Sequence, residues 1–250
     1  MDAATAAGLV LPGLATGLGG VALLAFRNPG ARTLDALLGF TAGIMLAATA
    51  FSLLVPAIER GTLAEVIVGF GLGAAVVAAL DAVLPHAHAR FRERGHRAAE
   101  EVVARQRASL LLAALTIHNV PEGFAVGVAF AVGGTDLGLP IAIAIGIQNI
   151  PEGFAATAPL LPAGTSRSRA IGIAALTGLV EIPAALGAYA AFELVDALLA
   201  PALAFAGGAM LYVVVDELIP ETQSRGNERA ASFALLIGFA LMMALDNAFA

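Results

Sequence analysis

Eight apolar runs, each close to the length that crosses a lipid bilayer, restrict what this sequence can fold into. They are predicted at about 5–26, 34–56, 63–84, 108–132, 138–160, 169–192, 197–219 and 231–249. A helix of about 20 apolar residues spans the hydrocarbon core, and it satisfies its own backbone hydrogen bonds where water is absent. The sequence therefore predicts an all-α, polytopic membrane bundle of eight transmembrane helices, forming a single domain over residues 1–250.

The composition supports this class. Hydrophobic residues make up 59% of the chain and charged residues 13%, whereas soluble domains average about 45–50% and roughly 25%. Cysteine is absent, so disulfides and thiolate metal ligands are excluded. No basic region precedes the first apolar run, which indicates an uncleaved first span rather than a signal peptide. We expect the lipid bilayer as a partner and no nucleic acid.

Arginine determines the predicted orientation, since the sequence contains no lysine. Placing the first, third, fifth and seventh loops in the cytoplasm puts every arginine except Arg60 on that side, as the positive-inside rule requires. Both termini are then outside. The compact, alanine-rich composition suggests a prokaryotic protein, with the plasma (inner) membrane as its expected location.

The longest connection, residues 85–107, is polar and is predicted to be a flexible cytoplasmic loop between the third and fourth spans. It contains His86, His88 and His96, which are candidate ligands for a loosely bound metal. A solvated basic loop that determines the topology explains the same segment, and the two interpretations are compatible.

Two copies of one polar motif interrupt the fourth and fifth spans. The stretch "HNVPEGF" begins at residue 118 and "QNIPEGF" at residue 148. Within each motif the polar residues are three or four apart, so they share one helical face. These residues are His118, Asn119, Glu122, Gln148, Asn149 and Glu152. Because a short connection makes the two spans antiparallel neighbours, we expect both sets to meet near the middle of the bilayer.

Proline and glycine add to each motif. Pro121 and Pro151 have no N–H to donate to the preceding turn, and their rings kink the helix. A carbonyl freed in this way is tolerated only where protein, water or an ion satisfies it. Gly123 and Gly153 remove side-chain bulk beside the acids. Each motif therefore predicts a kinked, uncrowded pocket lined by polar groups.

The acids indicate the ligand. Ionisable residues within membrane spans mark ion or proton pathways, and Glu181 in the sixth span adds a third carboxylate to Glu122 and Glu152. Such carboxylates repel one another unless they are protonated or bridged by a cation. With one imidazole, amide oxygens and no thiolate, they suit Zn²⁺, Fe²⁺ or Mn²⁺. A satisfied Glu–His hydrogen bond and a proline kink explain one motif, but they explain two matching copies less well.

These motifs, the predicted span number and the histidine-containing loop resemble the ZIP (Zrt-, Irt-like protein) family of divalent metal transporters. The closest likeness is to a bacterial branch whose fifth-span motif begins with Gln. The resemblance implies a secondary transporter that moves zinc first, and also iron, manganese or cadmium, into the cytoplasm. It implies a central, often binuclear site between the fourth and fifth helices, with the metal as substrate and no organic cofactor. Relatives also suggest a homodimer.

The resemblance assigns residues by position. One metal is expected at His118, Glu122, Gln148 and Glu152, and a second at Asn119, Glu122, Asn149, Glu152 and Glu181. The second-span stretch "GIMLAATAFSLLVPAIE" implies Met45 as a further ligand, with Ser52 and Glu59 along the outer entrance. The last two spans imply Glu217 near the release route and Asp246 near the uptake route. Gln148 in place of His implies a selectivity that is broader than zinc or shifted from it, and Asn149 in place of an acid lowers the charge at the second position.

Two other functions fit part of the sequence. An intramembrane metalloenzyme needs a metal-bound water and a base, often on an H-E-x-x-H helix, and this motif is absent. A proton-coupled carrier of an organic solute would use Glu122 and Glu152 as proton carriers. However, Trp is absent and aromatic residues make up only 6% of the chain, so no aromatic-lined pocket is indicated. We therefore expect a metal transporter and not an enzyme.

Overall fold

The computed structural model describes residues 1–22, 24, 30–83, 97–161, 165–192, 198–224 and 226–249. Within these ranges, the side chains of residues 81–83, 97–111, 113–115, 118, 159, 192 and 249 are outside the description. The described residues form helices and no strand. The predicted all-α class is confirmed.

Seven helices in the described ranges contain a stretch long and apolar enough to cross a membrane. They are α1 (Ala3–Ala22), α2 (Ala31–Arg60), α3 (Leu63–Val83), α4 (Arg97–Thr157), α5 (Arg167–Phe192), α6 (Leu199–Thr222) and α7 (Glu228–Phe249). A short turn of 3₁₀-helix, Ala158–Leu160, follows α4. A turn at residues 179–180 divides α5 into the stretches Arg167–Gly178 and Glu181–Phe192.

The longest helix, α4, changes direction at Gly134. This residue has φ 58° and ψ −140°, a backbone conformation that residues other than glycine rarely adopt. We call the part before it α4a (97–133) and the part after it α4b (135–157). The predicted fourth and fifth spans lie on either side of this residue. The backbone of 97–107 is helical, so α4a begins within the predicted 85–107 connection, while residues 84–96 lie outside the described ranges.

Two helices contain a wider turn of π-helix. In α2 it covers Ala48–Leu54, and in α6 it covers Val214–Leu218. A proline follows shortly after each, at Pro56 and Pro220. Because a proline ring clashes with the carbonyl four residues earlier, a wider turn at this point gives the ring room. Wider turns of this kind are frequent at functional sites.

Glycine allows α1, α4 and α5 to pack backbone against backbone as one group. A Cβ atom at Gly153 of α4b would overlap the Thr16 carbonyl of α1. A Cβ atom at Gly123 of α4a would overlap the backbone of Glu181 in α5. Small residues permit this close approach of helices in lipid, where dispersion contacts replace the hydrophobic effect.

The other four helices form a second group by the same means. Gly43 of α2 lies against the Leu235 carbonyl of α7, and Gly73 of α3 lies against the Phe205 carbonyl of α6. Wherever a described glycine lies this close to another helix, both helices belong to the same group.

Larger side chains connect the two groups. Phe124 of α4a packs edge-to-face on Phe205 of α6, with ring centroids 5.5 Å apart. Thr41 of α2 donates a hydrogen bond to the Gln148 carbonyl of α4b over 3.4 Å. Both arms of α4 therefore contact the second group as well as their own.

Candidate metal site

A short hydrogen bond joins two side chains on opposite arms of α4. Gln148 Nε2 donates to Glu122 Oε1 over 2.6 Å, although the residues are 26 apart in the chain. An uninterrupted helix would separate them by about 39 Å, at 1.5 Å per residue. α4 therefore folds back on itself at Gly134, and the structure brings the two motifs together.

A second hydrogen-bonded group ties three helices together beside the first. Asn149 Nδ2 donates to Glu181 Oε1 over 2.7 Å and to the Pro12 carbonyl over 2.9 Å. Glu181 begins the second stretch of α5, and Pro12 lies inside α1. Three helices, α1, α4b and α5, thus converge on Asn149.

Six of the predicted ligands are almost completely enclosed. Their exposed fractions are 1% for Asn119, 0% for Glu122, Gln148 and Asn149, 3% for Glu152 and 2% for Glu181. A buried polar group left without a partner costs about 1–3 kcal/mol. Six such side chains in one helix group therefore need hydrogen bonds or a ligand to be tolerated.

Each of these six residues keeps a side-chain oxygen for which the described residues provide no hydrogen-bond partner. The atoms are Asn119 Oδ1, Glu122 Oε2, Gln148 Oε1, Asn149 Oδ1, Glu152 Oε2 and Glu181 Oε2. The amide nitrogens of Gln148 and Asn149 face carboxylates, which leaves the amide oxygens as acceptors. A cation would satisfy such a set of unpaired acceptors, because oxygen ligands suit divalent ions.

The three carboxylates lie close enough to interact electrostatically. Glu122 interacts with the charges of Glu152 and Glu181, and Glu181 interacts with that of Glu152. Ionised carboxylates in one enclosed volume repel unless a proton or a cation compensates them. A divalent cation would offset this repulsion and coordinate the unpaired oxygens at the same time.

The described side chains do not form a preassembled cage of charged or imidazole ligands. Among the side chains that could be searched, no three His, Asp or Glu residues form a group able to hold a metal. The side chain of His118, the predicted imidazole ligand, lies outside the described part of the chain. A structural zinc site is closed and four-coordinate, typically with Cys and His ligands. The described carboxylates and amides are a mixed set of ligands and not a cage of this kind, and a mixed set suits exchangeable binding.

Helix α2 reaches this region through Thr41 and Met45. Thr41 contacts the Gln148 carbonyl, and Met45 is one turn further along the same face of α2. Met45 is 1% exposed and lies in the main hydrophobic core. The predicted sulfur ligand is therefore enclosed one turn beyond a direct contact with α4b.

The remaining predicted residues belong to α2, α6, α7 and the long connection. Ser52 Oγ donates to Asp246 Oδ1 over 2.7 Å, which joins α2 to α7. Glu59 is exposed in the last turn of α2, and Glu217 is half-buried in the wider turn of α6. The predicted loop ligands His86, His88 and His96 lie outside the described residues.

Sequence reasoning missed the contribution of α1 and of two threonines. The Pro12 carbonyl accepts a hydrogen bond from Asn149, and a proline inside the first apolar run is a signal that it contributes. The buried hydroxyl of Thr16 interacts with the Glu181 carboxylate, and the buried hydroxyl of Thr49 has no partner among the described residues. Threonine in an apolar helix gives little signal, because its hydroxyl can bond a carbonyl of its own helix.

Comparison with known proteins identifies relatives over nearly the whole length. The family described as ZIP Zinc transporter matches residues 81–246. Zinc transporter ZIPB of Bordetella bronchiseptica is 43% identical over 94% of this chain and 77% of its own. Zinc transporter GufA of Myxococcus xanthus is 41% identical, covering 96% and 98%. Zinc transporter ZIP11 of Homo sapiens is 35% identical, covering 92% and 93%.

Proposed function

The chain belongs to the ZIP zinc transporter family, and from this membership we propose that it transports divalent metal ions, zinc first, into the cytoplasm. Family membership favours this function over the metalloenzyme and the organic-solute carrier. The protein acts as a secondary transporter, and the metal is its substrate. Fe²⁺, Mn²⁺ and Cd²⁺ are the further substrates that the ligand chemistry allows.

One observation carries the proposal: six enclosed residues on α4a, α4b and α5 each keep a side-chain oxygen that has no partner among the described residues. Packing alone does not account for them, because well-packed interiors pair the great majority of their buried polar atoms. Three of the six oxygens belong to carboxylates, so the set is suited to a cation rather than to a neutral solute.

The proposed ligand sets follow the two motifs. One ion is bound by His118, Glu122, Gln148 and Glu152, with Met45 approaching from α2. A second ion is bound by Asn119, Glu122, Asn149, Glu152 and Glu181. When a cation arrives, Glu122 and Glu181 supply their Oε2 atoms, which form no hydrogen bond in the described part of the chain, while their Oε1 atoms remain held by amide donors. The amides thereby orient the carboxylates without occupying all of their acceptors.

The proposed topology has eight spans, with both termini outside and the protein in a prokaryotic plasma (inner) membrane. Two observations support it. Gly134 divides α4 into two arms that fold back on each other, so α4 supplies two spans. The arginines lie almost entirely in alternate loops, as the positive-inside rule requires. In this topology α2 runs outward, and the Ser52–Asp246 pair lies on the outer side of the central site.

Metal flux through the purified protein tests the proposal. The protein is reconstituted in liposomes, and uptake of ⁶⁵Zn²⁺ is compared with that of protein-free vesicles. Uptake that saturates with zinc concentration and is reduced by excess Mn²⁺, Fe²⁺ or Cd²⁺ is the expected result. Uptake of Mn²⁺, Fe²⁺ and Cd²⁺ is then measured in the same way, and uptake of all four metals no faster than in protein-free vesicles would refute the proposed function.

A further inference from the structure

Thr49 occupies an unusual position in the wider turn of α2. Its side chain is 2% exposed, and its hydroxyl has no hydrogen-bond partner among the described residues. The turn Ala48–Leu54 packs against α4, α6 and α7, so Thr49 is a buried residue of a turn that contacts both helix groups.

Three other buried threonines bond within their own helices. Thr157 donates to the Gly153 carbonyl over 2.6 Å, Thr177 to Ala174 over 2.7 Å, and Thr222 to Ile219 over 2.8 Å. Each hydroxyl is thus satisfied within its own helix, as is typical of threonine in apolar helices. The Thr49 hydroxyl forms no such bond, and a buried hydroxyl left unpaired is unfavourable.

The position of Thr49 along α2 suggests what its hydroxyl serves. Met45 is four residues before it and Ser52 three residues after it, so all three lie within about two turns of helix. Each of the three is no more than 2% exposed. Ser52 is hydrogen-bonded to Asp246, and the helix contacts the central site through Thr41. Thr49 therefore lies between the Ser52–Asp246 pair and the predicted sulfur ligand.

We infer that the Thr49 hydroxyl is a transient ligand of the transported ion between the Ser52–Asp246 pair and the central site. This inference rests on the proposed function and adds a residue to its route. A neutral hydroxyl oxygen replaces one water of a partly dehydrated divalent ion, and it holds the ion less tightly than a carboxylate does. Such a ligand lowers the barrier between two stronger sites without retaining the ion.

Two substitutions distinguish a role of Thr49 as a metal ligand from a role in packing. Thr49→Val keeps the shape and removes the hydroxyl, whereas Thr49→Ser keeps the hydroxyl and removes a methyl group. Thr222→Val is the matched control, because it removes a buried hydroxyl that is already satisfied within its own helix. All variants are reconstituted in liposomes, and initial ⁶⁵Zn²⁺ uptake per inserted protein is measured over a range of zinc concentrations.

The inference predicts that Thr49→Val lowers uptake at subsaturating zinc by about tenfold, the effect of losing one contact with a charged group. Thr49→Ser retains most of the uptake, and Thr222→Val matches the wild type. Wild-type uptake by Thr49→Val at every zinc concentration would overturn the inference. So would a Thr49→Ser variant as impaired as Thr49→Val, since that pattern indicates packing. A wild-type protein without uptake would instead remove the proposed function and this inference with it.

Discussion

Gln148 Nε2 lies 2.6 Å from Glu122 Oε1 across the two arms of α4, and this contact orients both side chains. The amide nitrogen holds one carboxylate oxygen, while Gln148 Oε1 and Glu122 Oε2 keep no partner among the described residues. The pair therefore presents two oxygen acceptors whose positions are determined before any ion arrives. Pre-organisation of this kind reduces the entropy lost on binding.

We expect the amide at position 148 to affect metal selectivity. Replacing it in Gln148→His supplies an imidazole, which suits zinc better than manganese. We expect ⁶⁵Zn²⁺ uptake by this variant to be inhibited several-fold less by Mn²⁺ than uptake by the wild type. Gln223→His at the exposed end of α6 is the control and should leave competition unchanged. Unaltered competition in Gln148→His would place Gln148 outside the coordination shell.

The reversal of α4 depends on Gly134. Its φ of 58° is unfavourable for a residue with a Cβ atom, so Gly134→Ala should destabilise the protein by about 1–3 kcal/mol. Thermal unfolding in detergent measures this change. Gly71→Ala is the control, because a Cβ atom at this helical position meets nothing within 4 Å. Equal melting temperatures for Gly134→Ala and the wild type would contradict the reversal of α4 at Gly134.

The side chain of Asn149 places a neutral amide, and not a second carboxylate, beside Glu181. In Asn149→Asp, a carboxylate would replace the donor that now lies 2.7 Å from Glu181 Oε1 and 2.9 Å from the Pro12 carbonyl. Like charges at this distance repel unless a cation lies between them. We expect the variant to unfold at a lower temperature in a chelator, and to gain more stability from added Zn²⁺ than the wild type. The same zinc-dependent gain in the surface variant Gln223→Glu would indicate a non-specific effect.

Removing the Ser52–Asp246 hydrogen bond tests the outer part of the proposed route. Ser52→Ala removes the donor to Asp246 Oδ1 and leaves the six enclosed residues of the central site intact. We expect a higher KM for zinc uptake with little change in the maximal rate, because capture of the ion is impaired while the central site is intact. Ser224→Ala removes an exposed serine bonded to Glu221 and should not affect KM. An unchanged KM in Ser52→Ala would remove this pair from the route.

The all-α class could be predicted from the sequence because a membrane permits few backbone structures. Apolar runs of bilayer length must be helical when backbone groups have no water to bond. The reversal within α4 was expected as a connection of a few residues and is instead made at a single glycine. The wider turns in α2 and α6 were not predicted, because the apolar pattern shows which residues avoid lipid and not how tightly a turn is wound.

The candidate site was predictable where its residues are local in sequence. Glu122 and Gln148 come from motifs whose proline, glycine and acid spacing is visible in the chain, and the structure brings these two residues together. The contacts of Pro12, Thr16 and Thr41 were not predictable, because they depend on which helices touch. That choice is made by glycine-to-backbone packing between helices distant in sequence, and a single sequence does not show the pairing.

In the proposed route the metal passes between the two arms of α4. The most direct test compares ⁶⁵Zn²⁺ uptake by Glu152→Gln and Glu228→Gln in reconstituted liposomes. Both changes replace a carboxylate with an amide, but Glu152 is 3% exposed within the site, whereas Glu228 is exposed in the first turn of α7. We expect uptake at the level of protein-free vesicles for Glu152→Gln and wild-type uptake for Glu228→Gln. Equal, undiminished uptake by both variants would show that the metal takes a different route.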